Sequence, residues 1–234
     1  FGPLGVATAN RRVSQVLGVW RWIWDTDDYG HLVDRPRKID LARPPEREVI
    51  APTWDEMDKC VLAARGWHRN LAVVLRYTGL RVSQAMGIRW SDVDLGRAEV
   101  RVRVVKGREK PRTIPVSQHL IEEISGWGVR DGWLIPSGRM KGPRERQARS
   151  RDMARVWARA EVRQEVWASV EEDQHGKPHH AFRAGFISGL RRLGADHDSV
   201  EWVVGHRLAG VTGTHYLDVA SLPLREAVHL IPKV

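Results

Sequence analysis

Six side chains, spread over four short stretches, are of types that handle phosphate and protons. "YTGLRVSQAMGIRW" sets Arg81 just after a glycine break, at the start of a helix. "VVKGREKPR" sets Lys106 at the tip of a hairpin, and "HHAFRAGF" puts His180 and Arg183 at i and i+3, neighbours on one helical face. "VGHRLAGVTGTHYLDV" sets His206 ten residues ahead of Tyr216. Tyr216 is one of three tyrosines, with Tyr29 and Tyr77, beside eleven tryptophans, so its place near a histidine asks whether it packs or reacts. An arginine fork can hold two oxygens and keeps its charge. Histidine and lysine can move protons, and a tyrosine hydroxyl can attack to form an ester. Singly, each residue has a plainer reading. Arg81 is a surface ion-pair partner, Lys106 a solvated turn residue, His-x-x-Arg a common helical spacing, and Tyr216 a packed ring with a satisfied hydroxyl. His179 and His180, with His175, have no carboxylate or cysteine at ligand spacing, so no metal is assigned.

The elements that carry these residues are mainly helical. Residues 8–24 read as a helix with Thr8 as its cap and Val13, Val16, Leu17 and Trp20 at helical spacing. The polar, proline-rich stretch that follows has no periodicity and reads as an interdomain linker. A second domain opens at "TWDEMDKCVLAA", where Thr53 and Glu56 have capping-box spacing and Met57, Cys60, Val61 and Ala64 form an apolar stripe. "NLAVVLRYTGLRVSQAMGI" continues helical, broken near Gly79. "AEVRVRVV" alternates with period two, a half-buried strand with a cationic outer face, and "TIPV" returns beside it. Helical patterns then cover 117–125, about 144–169, 179–193, 198–205, 212–219 and 221–230. The fold class is mainly α with a small antiparallel β-sheet (α+β). The domains read as 1–42, a linker at 43–52, and 53–234.

The charge balance narrows the partners. Against 29 acidic residues stand 38 basic ones, a net +9, which favours polyanions, DNA or RNA above all. From Arg139 to Arg163, arginines recur on several faces of a helix, some solvated and some able to meet phosphate. The single cysteine, Cys60, excludes an internal disulfide and any cysteine-based zinc site. No apolar run reaches membrane-spanning length, so no membrane association is expected. The chain begins with Phe and not Met, which reads as a fragment or a processed chain.

Taken together and in order, Arg81, Lys106, His180, Arg183, His206 and Tyr216 resemble the active-site set of the tyrosine recombinases, the phage-integrase family. "TGLRVSQAMGIRWSDVD" is similar to that family's first-arginine box, and "VVKGREKPRTIPV" to its lysine hairpin. "HHAFRAGF" matches the His-x-x-Arg box and "VGHRLAGVTGTHYLDV" the Gly-His and nucleophile segment. The resemblance spans about residues 53–230, and residues 1–42 look like the end of the family's helical core-binding domain. Two features depart from it: Gln84 stands where Glu is usual, and the His206-to-Tyr216 spacing is one residue longer.

The resemblance implies cleavage and rejoining of DNA through a 3′-phosphotyrosyl ester at Tyr216, with no cofactor and no metal. Storing the phosphodiester's energy in a covalent ester splits one hard step into two reversible ones. Arg81 and Arg183 would clamp the non-bridging oxygens and Lys106 would protonate the leaving 5′-oxygen, with Lys110 as the runner-up. His180 would take the Tyr216 proton or help hold the phosphate, and His206 would hydrogen-bond a non-bridging oxygen. Arg101, Arg103, Arg108, Lys110, Arg112, Arg144, Arg146, Arg149 and Arg151 would contact phosphates and fix register. Partners implied are double-stranded DNA, a homo-tetramer on that DNA, and accessory DNA-bending or directionality proteins, in a bacterial or phage-encoded, cytoplasmic, nucleoid-associated protein. "SLPLREAVHLIPKV" is amphipathic: it docks on a neighbouring subunit in many family members, or packs on its own domain. Without most of the N-terminal clamping domain, recombination is expected to weaken while some cleavage survives. The rival readings are a type IB topoisomerase-like enzyme, a catalytically silent DNA-binding protein on the same scaffold, and a plain basic helical domain.

Overall fold

The structure, a computed structural model, describes residues 5–43, 50–103, 111–128, 131–135, 146–168, 178–206 and 218–234, with only the backbone for 146–149. The chain divides into two compact units, Phe1–Glu48 and Val49–Val234.

The first unit is built on helix α1, Val6–Trp24, which starts after Gly5 with no side-chain cap, so Thr8 lies inside the first turn. Of the apolar residues at helical spacing, Leu17 alone is buried, while Val16 is 64% exposed. A short 3-10 turn, Gly30–Leu32, reverses the chain. The stretch after it runs back along α1: Trp20 Nε1 donates to the Asp34 carbonyl at 2.8 Å and Asn10 Nδ2 to the Ala42 carbonyl at 2.6 Å. Those two anchors keep an irregular, proline-rich strip against the helix where periodicity alone shows a linker.

The second unit opens with helix α2, Trp54–Ala63, closed by the expected capping box: the Thr53 N–H donates to Glu56 at 2.8 Å and the Glu56 N–H to Thr53 Oγ1 at 3.3 Å. Its stripe of Met57, Cys60 and Val61 is fully buried, and Ala64, the residue at its end, is nearly so. Helix α3, Trp67–Thr78, is buried on every side from Leu71 to Thr78, which makes it the central rod of the core. Burial pushes the Cys60 thiol far above its ordinary range, so it is an inert core residue. The one charge in the buried stretch of that rod, Arg76, is itself fully buried yet satisfied. It donates to Asp58 at 2.7 Å and to the Pro232 carbonyl at 2.7 Å, and lies over the rings of Trp54 and Tyr77.

Gly79 ends α3 in the left-handed conformation at φ 59°. A Cβ there would stand 2.5 Å from the Phe186 ring. Both the backbone and the space require glycine. Gly79→Ala is expected to destabilise the unit by about 1–3 kcal/mol, from overpacking alone. A lower urea midpoint with an unchanged m-value would show it. Helix α4, Val82–Ala85, follows at once with Arg81 as its N-cap residue.

Three short strands form an antiparallel sheet in the order β1 (Val93–Asp94), β2 (Glu99–Val102), β3 (Arg112–Pro115). Val100 pairs with Ile114 and Val102 with Arg112, so Val100, Val102 and Ile114 face the core while Arg101 and Thr113 face out. Helices α5 (Gln118–Ser125), α6 (Arg146–Arg159), α7 (Pro178–Arg192) and α8 (His197–Val204) complete the shell. Helix α6 ends well short of the sequence-predicted boundary at 169. Glu161 turns the chain with φ 53°, and a separate 3-10 turn, Gln164–Val166, follows.

The last helix, α9 (Leu224–His229), packs on its own domain. Ala227, Val228 and Ile231 are buried, Arg225 holds Glu99, Lys233 meets Glu122 at 3.2 Å, and the Val234 N–H donates to the Tyr77 hydroxyl at 3.1 Å. The described C-terminal residues therefore take the own-domain arrangement. No helix among the described residues is long and apolar enough to cross a membrane.

Candidate functional site

Three elements that are distant in sequence place their arginines at one point, the C-terminal end of α8. Arg183, on α7, is 5% exposed and donates to the Val204 carbonyl at 2.7 Å and to the Gly79 carbonyl at 2.9 Å. Arg81, at the start of α4, donates to the Gly205 carbonyl at 3.3 Å. Arg112, on β3, donates to the Val203 carbonyl at 3.2 Å. The last carbonyls of a helix have no partner within it and carry the negative end of the helix dipole. Three guanidinium groups on three successive carbonyls satisfy both conditions. Each guanidinium has five N–H donors, and these bonds use only some of them.

The backbone is shaped for this meeting. Gly79 and Gly205 both adopt left-handed conformations, φ 59° and 75°. Each ends a helix and turns its carbonyl toward an arginine. A Cβ on Gly205 would run into the Arg112 guanidinium. Gln84, which takes the place of the more usual glutamate, is buried, and its side-chain oxygen accepts from the Arg81 N–H at 3.2 Å. The amide thus caps α4 and steadies the backbone of Arg81 without adding a charge.

Of the six residues singled out for chemistry, four lie among the described residues. Arg81 and Arg183 are brought together as above. His180 sits in the first turn of α7, exposed, three residues ahead of Arg183. His206 directly follows Gly205, its side chain 37% exposed, with Nδ1 2.6 Å from a Glu201 carboxylate oxygen. Lys106 and Tyr216 lie outside the described residues. No group of three or more His, Cys, Asp or Glu side chains able to hold a metal ion occurs among the described residues.

The residues read as phosphate contacts divide. Arg101 is exposed on the outer face of β2, and Arg151 is exposed on α6. Arg103 is also on the outer side but forms an ion pair with Asp92 at 2.7 Å. Burial would raise the Asp92 carboxyl, but the Arg103 hydrogen bond and the Arg89 N–H outweigh it and hold it below the usual carboxylate range. Arg112 is directed not outward but along the core-facing side of the sheet to the end of α8. Arg108, Lys110 and Arg144 lie outside the described residues, as do the side chains of Arg146 and Arg149 on α6. Sequence reasoning missed Glu201 and Arg191, which meet at 2.6 Å beside His206. The signal that could have found Glu201 is its position five residues before His206 across the helix-ending Gly205.

A mainly helical domain with a three-stranded sheet and a cluster of arginines at a helix end defines the class. The family model described as "Phage integrase family" matches residues 53–222, and the chain belongs to that family. It is similar to the tyrosine recombinase XerD of Rhizobium meliloti, 27% identical over 235 residues, covering 89% of this chain and 70% of that protein. It is also similar to the tyrosine recombinase XerC of Rhodospirillum centenum, 27% identical, covering 97% of this chain and 64% of that protein. Among solved structures it resembles the XerH site-specific recombinase bound to difH substrate in a pre-cleavage complex. The TM-score there is 0.62 at 16% identity, over 88% of this chain and 61% of that one, a likeness of fold. The chain spans 56% to 70% of the length of the first curated relatives it matches.

Proposed function

We propose that the chain is the catalytic part of a site-specific DNA recombinase that cleaves and rejoins strands through a 3′-phosphotyrosyl intermediate at Tyr216. The observation that carries this reading is the meeting of Arg81, Arg112 and Arg183 at the end of α8, next to His206. In-line attack on a phosphodiester places negative charge on the non-bridging oxygens, and preorganised donors are worth the most there. Arg81 and Arg183 supply those donors, and His206 adds a hydrogen bond to a non-bridging oxygen. The Tyr216 oxygen bonds to phosphorus as the bond to the 5′-oxygen breaks. The Tyr216 proton passes to His180, and Lys106 supplies a proton to the leaving oxygen. Rejoining runs the same steps backward, so the bond energy stays in the ester and no nucleotide cofactor is consumed.

Support for double-stranded DNA as partner comes from the +9 charge and from exposed Arg101 and Arg151. A homo-tetramer on DNA, accessory proteins, and assignment of the first unit to a core-binding domain belong to the same reading. The λ integrase tetramer bound to a Holliday junction, a fold neighbour at TM-score 0.53, is the precedent for the assembly.

The test is a supercoiled plasmid carrying two copies of a site recovered by covalent capture. Recombinant circles that require both sites support the reading. Relaxation without exchange, equally fast on one site, would instead point to a topoisomerase.

A further inference from the structure

We propose that Glu201 is a positioning residue: it fixes the ring of His206 so that Nε2 is the nitrogen presented to phosphate. This rests on the reading above, in which His206 meets a non-bridging oxygen. Helix α8 ends in a six-residue closure. The His206 N–H donates to the Glu201 carbonyl at 2.9 Å and the Gly205 N–H to the Trp202 carbonyl at 3.0 Å, with Gly205 left-handed between. Such a closure brings the first and last side chains together, usually in an apolar contact. Here the two are a carboxylate and an imidazole. Glu201 Oε2 lies 2.6 Å from His206 Nδ1.

The carboxylate is itself held. Its other oxygen accepts from Arg191, on α7, at 2.6 Å, and Arg191 also lies 3.0 Å from His197 Nε2. The Glu201 side chain is 14% exposed, against 37% for His206. A half-exposed ring on a loop has rotamers to lose, whereas one tied to a clamped carboxylate has its plane set before substrate arrives. An ionised carboxylate only accepts, so Nδ1 is the donor here, and Nε2 is the nitrogen left to donate to a phosphate oxygen, which it does when the ring is the imidazolium. The position is immediately beside the Gly205 carbonyl that Arg81 holds. Outer partners that orient a metal-ligating histidine commonly matter by about 10–100-fold, and the same order is expected for a histidine that meets phosphate.

Two substitutions in the full chain separate orientation from mere packing. Glu201→Gln can give its oxygen to Arg191 and its NH2 to Nδ1, which then accepts, so the ring plane is still held and Nε2 carries the hydrogen. Glu201→Met keeps a similar stem in the helix and holds neither. Two readouts are used. The first is the ring-nitrogen NMR shifts of His206 in 15N-histidine-labelled protein. The second is the single-turnover rate of covalent adduct formation on a nicked duplex at saturating concentration.

Glu201→Met is expected to move the Nδ1 signal and to slow adduct formation about 10–100-fold with DNA affinity unchanged. Glu201→Gln is expected to keep the rate within about threefold of the parent. A Glu201→Met rate within about twofold of the parent overturns the proposal. So does a Glu201→Gln variant as slow as Glu201→Met. If the parent forms no adduct, the functional reading fails by itself, and the spectra still decide: an Nδ1 signal unmoved by Glu201→Met overturns the pairing, and a moved one supports it. Should Glu201→Met not fold, Arg191→Met, which releases one side of the carboxylate, is expected to slow adduct formation by a smaller factor. No change there overturns the clamp.

Discussion

Arg183→Lys is expected to lower the rate of strand cleavage by about 10²–10³-fold, the loss typical of one well-placed donor to a developing oxyanion. The reason lies in what this side chain spans. One nitrogen of the guanidinium serves the Gly79 carbonyl at the end of α3 and the Val204 carbonyl at the end of α8, from a position 5% exposed. A planar fork can do that and still direct further N–H groups at a phosphate. Lysine carries the same charge as a point on a flexible stem. It can satisfy one carbonyl or approach the phosphate, but it cannot hold the geometry that relates α3, α7 and α8. Single-turnover cleavage at saturating DNA reads the loss directly. A lysine variant within fivefold of the parent would mean that charge alone suffices and that the fork has no special part.

Arg76→Leu is expected to have the largest effect on stability, about 3 kcal/mol, because removing one partner of a buried ion pair leaves the other uncompensated. Arg76 is fully buried, while the Asp58 side chain is 21% exposed, so water can reach the carboxylate and the cost falls at the low end of the usual range. The substitution also leaves the Pro232 carbonyl without its donor. Set against a typical total of about 5–15 kcal/mol, this is a large fraction of the folding free energy. Urea unfolding followed by tryptophan fluorescence would show the midpoint fall. A loss below about 1 kcal/mol would show that water reaching Asp58 and the packing of the leucine offset the missing partner.

The two arginines illustrate what was and was not legible in the sequence. Local rules carried well. The Thr53 and Glu56 spacing became a real capping box, and the alternation in "AEVRVRVV" put Val100 and Val102 inside with Arg101 outside. The break at Gly79 became a left-handed helix end with Arg81 just past it. Local rules failed where the deciding partner is remote. Helix α1 starts earlier than the Thr8 cap expected from sequence, after Gly5, whose carbonyl accepts from the Thr8 and Ala9 N–H groups. Helix α6 stops at Arg159 with no glycine or proline to announce it; a non-glycine residue, Glu161, takes the left-handed turn.

For the site, residue types and order were readable, but allegiance was not. Nothing in the spacing says that Arg103 pairs with Asp92, or Arg163 with Glu56 at 2.6 Å, so the outward-facing positive charge is smaller than a count of arginines indicates. Arg112 reads as a surface cation of a hairpin, yet its pairing with Val102 sends it to the end of α8. These are tertiary facts, set by which elements happen to pack together.

The most direct test of the central claim is covalent capture. A pool of nicked duplexes of random sequence is incubated with the full chain, without metal or ATP, and resolved on a denaturing gel. The account predicts a protein–DNA adduct linked through the 3′-phosphate that is absent with Tyr216→Phe. Firm DNA binding with no adduct, or an adduct that persists in Tyr216→Phe, would contradict it.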